Sequence, residues 1–251
     1  MKLFRKIRQR LVTENKVNKY LVYATGEILL VMIGILIALQ VNNWNIERQN
    51  KVVQNALLHK LDSELQSNID RLDFLTGSYE GMKANNQSLY DSLLAGTNLQ
   101  NVEKHFNSTI YDSSTLNLRS SAYEQMKNTG QLYTLNSDLL LNAIELHYKL
   151  WERENYYILK NNERVETPGY VARNIGFTKA KLDYFTKGLD YALRKNTWLL
   201  NKKSDEYAAR IREVAVAQFH ITDMLRRMDR IINDSKDLKD LIKKTLDKEK
   251  L

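Results

Sequence analysis

Residues 58–93 read LHKLDSELQSNIDRLDFLTGSYEGMKANNQSLYDSL. Within them Leu58, Leu61, Leu65, Asn68, Leu72, Leu75, Tyr79, Met82, Asn86, Leu89 and Leu93 follow one another at spacings of three and four without interruption. That spacing winds a mostly apolar stripe along one side of a helix and predicts a long helix rather than a strand. Two amides, Asn68 and Asn86, sit in the stripe, where a buried amide costs stability and fixes register or partner number. Packing on neighbours within the same chain is the expected use of the stripe, with a self-associating coiled coil as the competing one. Gly77 and Gly81 lie off the stripe and weaken the helix locally, which admits a break at Thr76-Gly77-Ser78.

Upstream the stripe shifts to Ile46, Val53, Leu57 and Leu61, a four-residue stutter that changes the facing side. Before it, residues 21–41 read LVYATGEILLVMIGILIALQV, apolar except for Thr25, Glu27, Gln40 and the glycines. At about 1.5 Å per residue the run covers roughly 31 Å, close to the hydrocarbon thickness of a bilayer. A core helix rarely sustains more than about 14 such residues, and a signal-peptide core runs roughly 7 to 15. The exit Ala38-Leu39-Gln40-Val41-Asn42-Asn43 also lacks a small-x-small cleavage site. The absence of cysteine closes the route through an acylated N-terminal Cys. The reading is one uncleaved transmembrane helix.

Charge gives the expected orientation. Of the formal net +8, residues 1–20 hold +6, Glu27 subtracts one and residues 42–251 keep +3. Positive residues stay inside, so residues 1–20 are read as a basic cytoplasmic leader and 42–251 as a periplasmic helical domain. Tyr20 suits the inner membrane interface and Trp44 the outer one. Membrane lipid is the first expected partner. Nucleic acid is not expected, because the excess charge is juxtamembrane and the remainder is nearly balanced.

The rest of the chain also reads as helix. Tyr207, Ile211, Val214, Gln218, Ile221, Leu225, Met228 and Ile232 form a second stripe, the natural partner of the first. Leu140, Ile144, His147, Trp151 and Ile158 share the period, as do Leu182, Phe185, Leu189, Ala192, Asn196 and Leu199. Boundaries are expected at Gly96-Thr97-Asn98, at Asn128-Thr129-Gly130 as a C-cap, at Asn136-Ser137-Asp138 as an N-cap, and at Thr167-Pro168-Gly169. Residues 234–251 read as a weak amphipathic end helix with Leu238, Leu241, Ile242 and Leu246. No run alternates long enough for a strand. The expected fold is all-α: a transmembrane helix continuing into a long helix and an antiparallel helical bundle.

Chemistry is sparse. His59, His105, His147 and His220 lie far apart, and no HExxH, GxSxG, GxxxxGK[ST] or glycine-rich dinucleotide fingerprint occurs. Without cysteine there is no thiol catalysis. No metal, no cofactor and no enzymatic activity are expected. Tyr156-Tyr157 and His147-Tyr148 read as core and rim aromatics rather than a ligand cage.

Glu27 stands apart, because an ionised acid near mid-bilayer costs about 2.5 to 3.5 kcal/mol on insertion scales. Helical spacing puts Tyr23, Glu27, Leu30, Gly34, Ala38 and Val41 on one face, where Gly34 and Ala38 form a small-xxx-small pair that lets another helix approach closely. A protein contact in the membrane is the expectation, against snorkelling to the headgroups or a proton relay.

Phe4-Arg5-Lys6-Ile7-Arg8, Gly26-Glu27-Ile28-Leu29-Leu30-Val31, Ile33-Gly34-Ile35-Leu36-Ile37-Ala38-Leu39-Gln40 and Asn42-Asn43-Trp44-Asn45 resemble the N-terminal signature of a large uncharacterised family of single-pass membrane proteins from Bacteroidota. Residues 122–132, AYEQMKNTGQL, resemble a second and looser element of it. The departure is Ile46, where the family pattern has an acid. The resemblance implies a Gram-negative inner-membrane protein and brings no catalytic residues. The expected function is that of a membrane-anchored interaction or scaffold protein, a subunit or accessory of a larger complex or a self-associating one. The alternatives are a ligand-sensing bundle signalling through a partner and a proton-coupled single-span subunit using Glu27.

Overall fold

The computed structural model describes residues 17–99, 101–166 and 175–248, with side chains from residue 21 onward except those of residues 165, 166 and 175. These residues are all-α, with seven helices and no strand among them. In chain order the helices are α1 (Val17–Ala95), α2 (Val102–Asn107), α3 (Ser121–Asn128), α4 (Asp138–Glu166), α5 (Ile175–Lys187), α6 (Leu189–Lys195) and α7 (Asp205–Lys248). Short 3-10 turns occupy Gln131–Thr134 and Thr197–Leu200. The chain divides into two compact units, Met1–Ala56 and Leu57–Leu251. Most of the leader and the Thr167-Pro168-Gly169 boundary lie outside the described residues.

In the first unit the apolar run of α1 is the one helical stretch among the described residues long and apolar enough to cross a membrane, and none of its most apolar window is buried. The upstream stripe is not packed: Ile46 and Val53 are exposed, and the stripe finds a core only from Leu57 onward. A stutter places residues on one side of a helix, but burial requires a neighbour there.

In the second unit the stripe from Leu58 to Leu93 is the core. All its members are buried except the half-buried Met82. Its neighbour α7 runs antiparallel to α1. At one end the Tyr207 hydroxyl donates to the Leu93 carbonyl at 2.8 Å, and at the other the Lys239 ammonium donates to the Asp62 carbonyl at 3.0 Å. Between these points Leu72, Leu75 and Tyr79 pack with Ile221, Met224 and Met228. Leu58, Leu61 and Leu65 pack with Leu238, Ile242 and Leu246 of α7 and with Leu140 and Ile144 of α4. Each such leucine cut to alanine costs about 2 to 5 kcal/mol. That burial carries α1 unbroken through Thr76-Gly77-Ser78, since Gly77 and Gly81 cost only about 1 kcal/mol each.

The segment after Asp234 is not a separate end helix. It continues α7 to Lys248, and Leu238, Ile242 and Leu246 belong to the core. Two caps fall where the sequence places them: Gly130, at φ +74°, follows α3 in the left-handed region, and the Ser137 hydroxyl accepts the Leu140 N–H at 3.2 Å at the start of α4. The helical stripe drawn from Leu182 to Leu199 is corrected. Gly188, at φ +83°, separates α5 from α6, and the change of direction breaks the phase. Phe177 and Ala180 of α5 face inward with Ala192 and Leu199, packing on Val102 and Phe106 of α2, whereas Leu182 and Phe185 are exposed.

Candidate functional site

At 100° per residue, Tyr23, Glu27, Leu30, Gly34, Ala38 and Val41 fall within an arc of about 80° on the continuous helix α1. Tyr23 and Glu27 are half-buried, and Leu30, Gly34, Ala38 and Val41 are exposed. A Cβ built on Gly34 meets nothing within 4 Å, so this part of the face is open to close approach. Trp44 is exposed beyond the apolar run, and the Tyr20 side chain lies outside the described ones.

In the second unit the polar residues of the α1 stripe hold an extended segment, residues 108–120, along the helix. The Asn86 amide donates to the Ile110 carbonyl at 2.6 Å. The Tyr79 hydroxyl donates to the Asp112 carbonyl at 2.5 Å and accepts the Ser114 N–H at 3.2 Å. The Arg71 guanidinium reaches the Leu116 and Thr115 carbonyls at 3.3 and 3.4 Å. Asn68 donates to the Arg119 carbonyl and accepts the Arg119 N–H, both at 2.8 Å, as a strand partner would. Burial holds the Tyr79 hydroxyl above its ordinary pKa, although Ser114 partly offsets this. The segment also contributes Leu116 to the core. Asn68 and Asn86 therefore satisfy backbone groups of their own chain, which corrects their assignment to partner number.

The strap ends at a buried acid. One Glu64 oxygen accepts the Ser121 hydroxyl at 2.7 Å and the Ala122 N–H at 2.9 Å; the other accepts the Tyr148 hydroxyl at 3.1 Å. A carboxylate on the first N–H groups of α3 suits the positive end of that helix. Burial, then the Glu64 charge, pushes the Tyr148 hydroxyl well above its usual range.

Two further polar clusters join α4 to α7. Glu154 is fully buried, and Arg227 and Arg153 donate to it at 2.6 and 2.7 Å. Burial alone would raise the Glu154 pKa, and the two guanidinium groups more than offset it, leaving it below the usual carboxylate range. Asp223, bonded to Arg226, Arg227 and Asn161, is depressed for the same balance of reasons. Buried His147 pairs with Asp234 at 2.6 Å. Tyr148 is core, while Tyr156 and Tyr157 are rim, with Tyr157 beneath the Arg227 guanidinium at 4.5 Å.

An open groove of about 900 Å³ runs beside Gly77, Gly81, Ser88 and Ser92 of α1 and Lys104 of α2. His105 borders it, buried and near the Ser92 and Thr97 hydroxyls at 3.4 and 3.5 Å. Burial, with Arg210 and Lys104 nearby, lowers its pKa to about 4. Among the described residues no group of three or more His, Cys, Asp or Glu is placed to hold a metal.

The sequence reading missed the strap. Its signal is present as Ser, Thr, Asp and Asn between residues 108 and 120 without helical period, opposite a stripe interrupted by Asn68 and Asn86, with Glu64 beside it.

A family model described as a family of unknown function, DUF6090, matches residues 27–169. The match starts at Glu27, inside the apolar run, and ends just past α4. No curated protein and no solved structure matches the chain.

Proposed function

Because the chain belongs to DUF6090, a family of unknown function, its role has to be argued from its own surfaces, and we propose a non-enzymatic, single-pass inner-membrane protein that acts as an interaction or scaffold subunit. The leader lies in the cytoplasm and the helical unit in the periplasm, and the contact with a larger membrane or envelope complex runs through Tyr23, Glu27, Leu30, Gly34, Ala38 and Val41. One observation carries this reading: an apolar helical run without a buried position brings its carboxyl and its open glycine to the same side. An apolar surface of that length needs a non-aqueous surrounding. The resemblance to single-pass membrane proteins of Bacteroidota and the charge of the leader support the same orientation.

Native-gel mass in mild detergent tests the contact, using protein solubilised from its own membranes. Wild type is expected in an assembly heavier than one chain in its micelle, and Glu27→Leu and Gly34→Leu each shift it towards the monomer. Assemblies unchanged in both variants would sink the proposal. Since the chain lacks cysteine, an impermeant maleimide tests topology: a cysteine at Ser78 is labelled in cells with a permeabilised outer membrane, and one at Arg8 is not.

A further inference from the structure

Helix α5 has one side used within the chain and one side not. Its inner side buries Phe177 and Ala180 against α2 and α6. Its outer side presents Leu182 and Phe185, 63% and 61% exposed and one turn apart. Cations flank them. Lys179 is exposed, and the Lys181 ammonium lies over the Phe185 ring at 5.9 Å. Residues 175–204 carry net +5, while the remainder of residues 42–251 carries −2. Asp205 and Glu206 at the start of α7 reduce this field without cancelling it, since residues 175–213 still hold +4.

We propose that the outer side of α5 is a docking face for an anionic phospholipid surface, with Leu182 and Phe185 entering the headgroup layer and Lys179 and Lys181 facing its phosphates. The charge is complementary to such a surface, and apolar anchors flanked by lysines are the elements of an interfacial helix. The cations favour lipid over an acidic protein. Most of them are lysines, which protein interfaces deplete in favour of arginine. The face is separate from the span, so it gives the chain a second lipid contact beyond the role proposed above.

The test uses the full chain held in nanodiscs of pure phosphatidylcholine, mixed with separate sedimentable vesicles. Co-sedimentation is expected with vesicles of phosphatidylcholine and phosphatidylglycerol and not with phosphatidylcholine alone. Leu182→Ser with Phe185→Ser, and separately Lys179→Glu with Lys181→Glu, are each expected to weaken it by at least about tenfold. Both variants are expected to keep the wild-type circular dichroism and melting temperature. Binding unchanged in both variants assigns it to the basic leader and overturns the proposal. Loss with the lysine variant only, together with displacement of the vesicles by soluble polyglutamate, indicates an acidic polymer site and also overturns it.

Discussion

Helix α1 carries two apolar surfaces of opposite fate. Between Leu21 and Val41 almost every large apolar side chain is exposed; between Leu57 and Leu93 the stripe is buried by helices of the same chain. Both stretches are helical, so secondary structure does not separate them. The difference lies in pattern. The first is apolar on all sides, which no set of neighbours on one face can satisfy, and the second confines its apolar groups to a stripe that one layer of helices covers. On the proposed reading the all-round surface serves lipid and a chosen contact, whereas the striped one serves the fold.

The sharpest way to break this contrast is to truncate a leucine in each stretch. Leu72→Ala is expected to lower the unfolding free energy of the second unit by about 3 to 4 kcal/mol, whereas Leu36→Ala changes it by less than about 0.5, read from urea titrations of the full chain in detergent. Equal effects would mean that the two surfaces are not used differently. A smaller loss separates the roles of the stripe's polar members. Asn68→Ala removes both bonds to Arg119 and is expected to cost about 2 to 3 kcal/mol, with faster proteolysis between residues 108 and 120. If Asn68 instead set a register between chains, the variant would change oligomeric state and leave the strap protected.

The buried histidine gives the contrast a pH dependence. His105 titrates at about 4 in the fold against an ordinary value near 6.5, so the unfolded chain binds more protons between these values. The stability it contributes is present above the unfolded pKa and is lost as pH falls towards the folded one. Moving from pH 7 to pH 5 is expected to cost about 2 kcal/mol through this residue, and His105→Gln flattens that part of the profile. The smallest effect is a gain. Gly81→Ala, on an open face of α1, is expected to add about 0.5 to 1 kcal/mol, and a loss would mean that this face is occupied.

Much of the architecture was legible because it rests on periodicity. The stripe from Leu58 to Leu93 read directly as a buried helix face, and the caps at Gly130 and Ser137 followed from residue chemistry. Its partner from Tyr207 to Ile232 did so in part, since Ile211, Gln218 and Leu225 are only half-buried and Ala217, Met224 and Ile231 take core places beside them. What failed did so where one long-range fact was missing. Ile46 and Val53 have the right spacing but no neighbour. Leu182 and Phe185 lost their phase at Gly188, whose positive φ turned the chain. Asn68 and Asn86 looked like specificity residues of a helix seam, because nothing local says that an extended segment 24 to 51 residues away will supply their partners. The face at Tyr23 to Val41 was read from angular position alone, and its occupant is a matter of what surrounds the helix.

That occupant is reached most directly by placing a photo-cross-linking side chain at each position from Leu30 to Val41 in turn and irradiating living cells. The account predicts protein adducts at Leu30, Gly34, Ala38 and Val41 and none at Ile33, Leu36 or Leu39. Adducts at every position, or at none, would contradict it.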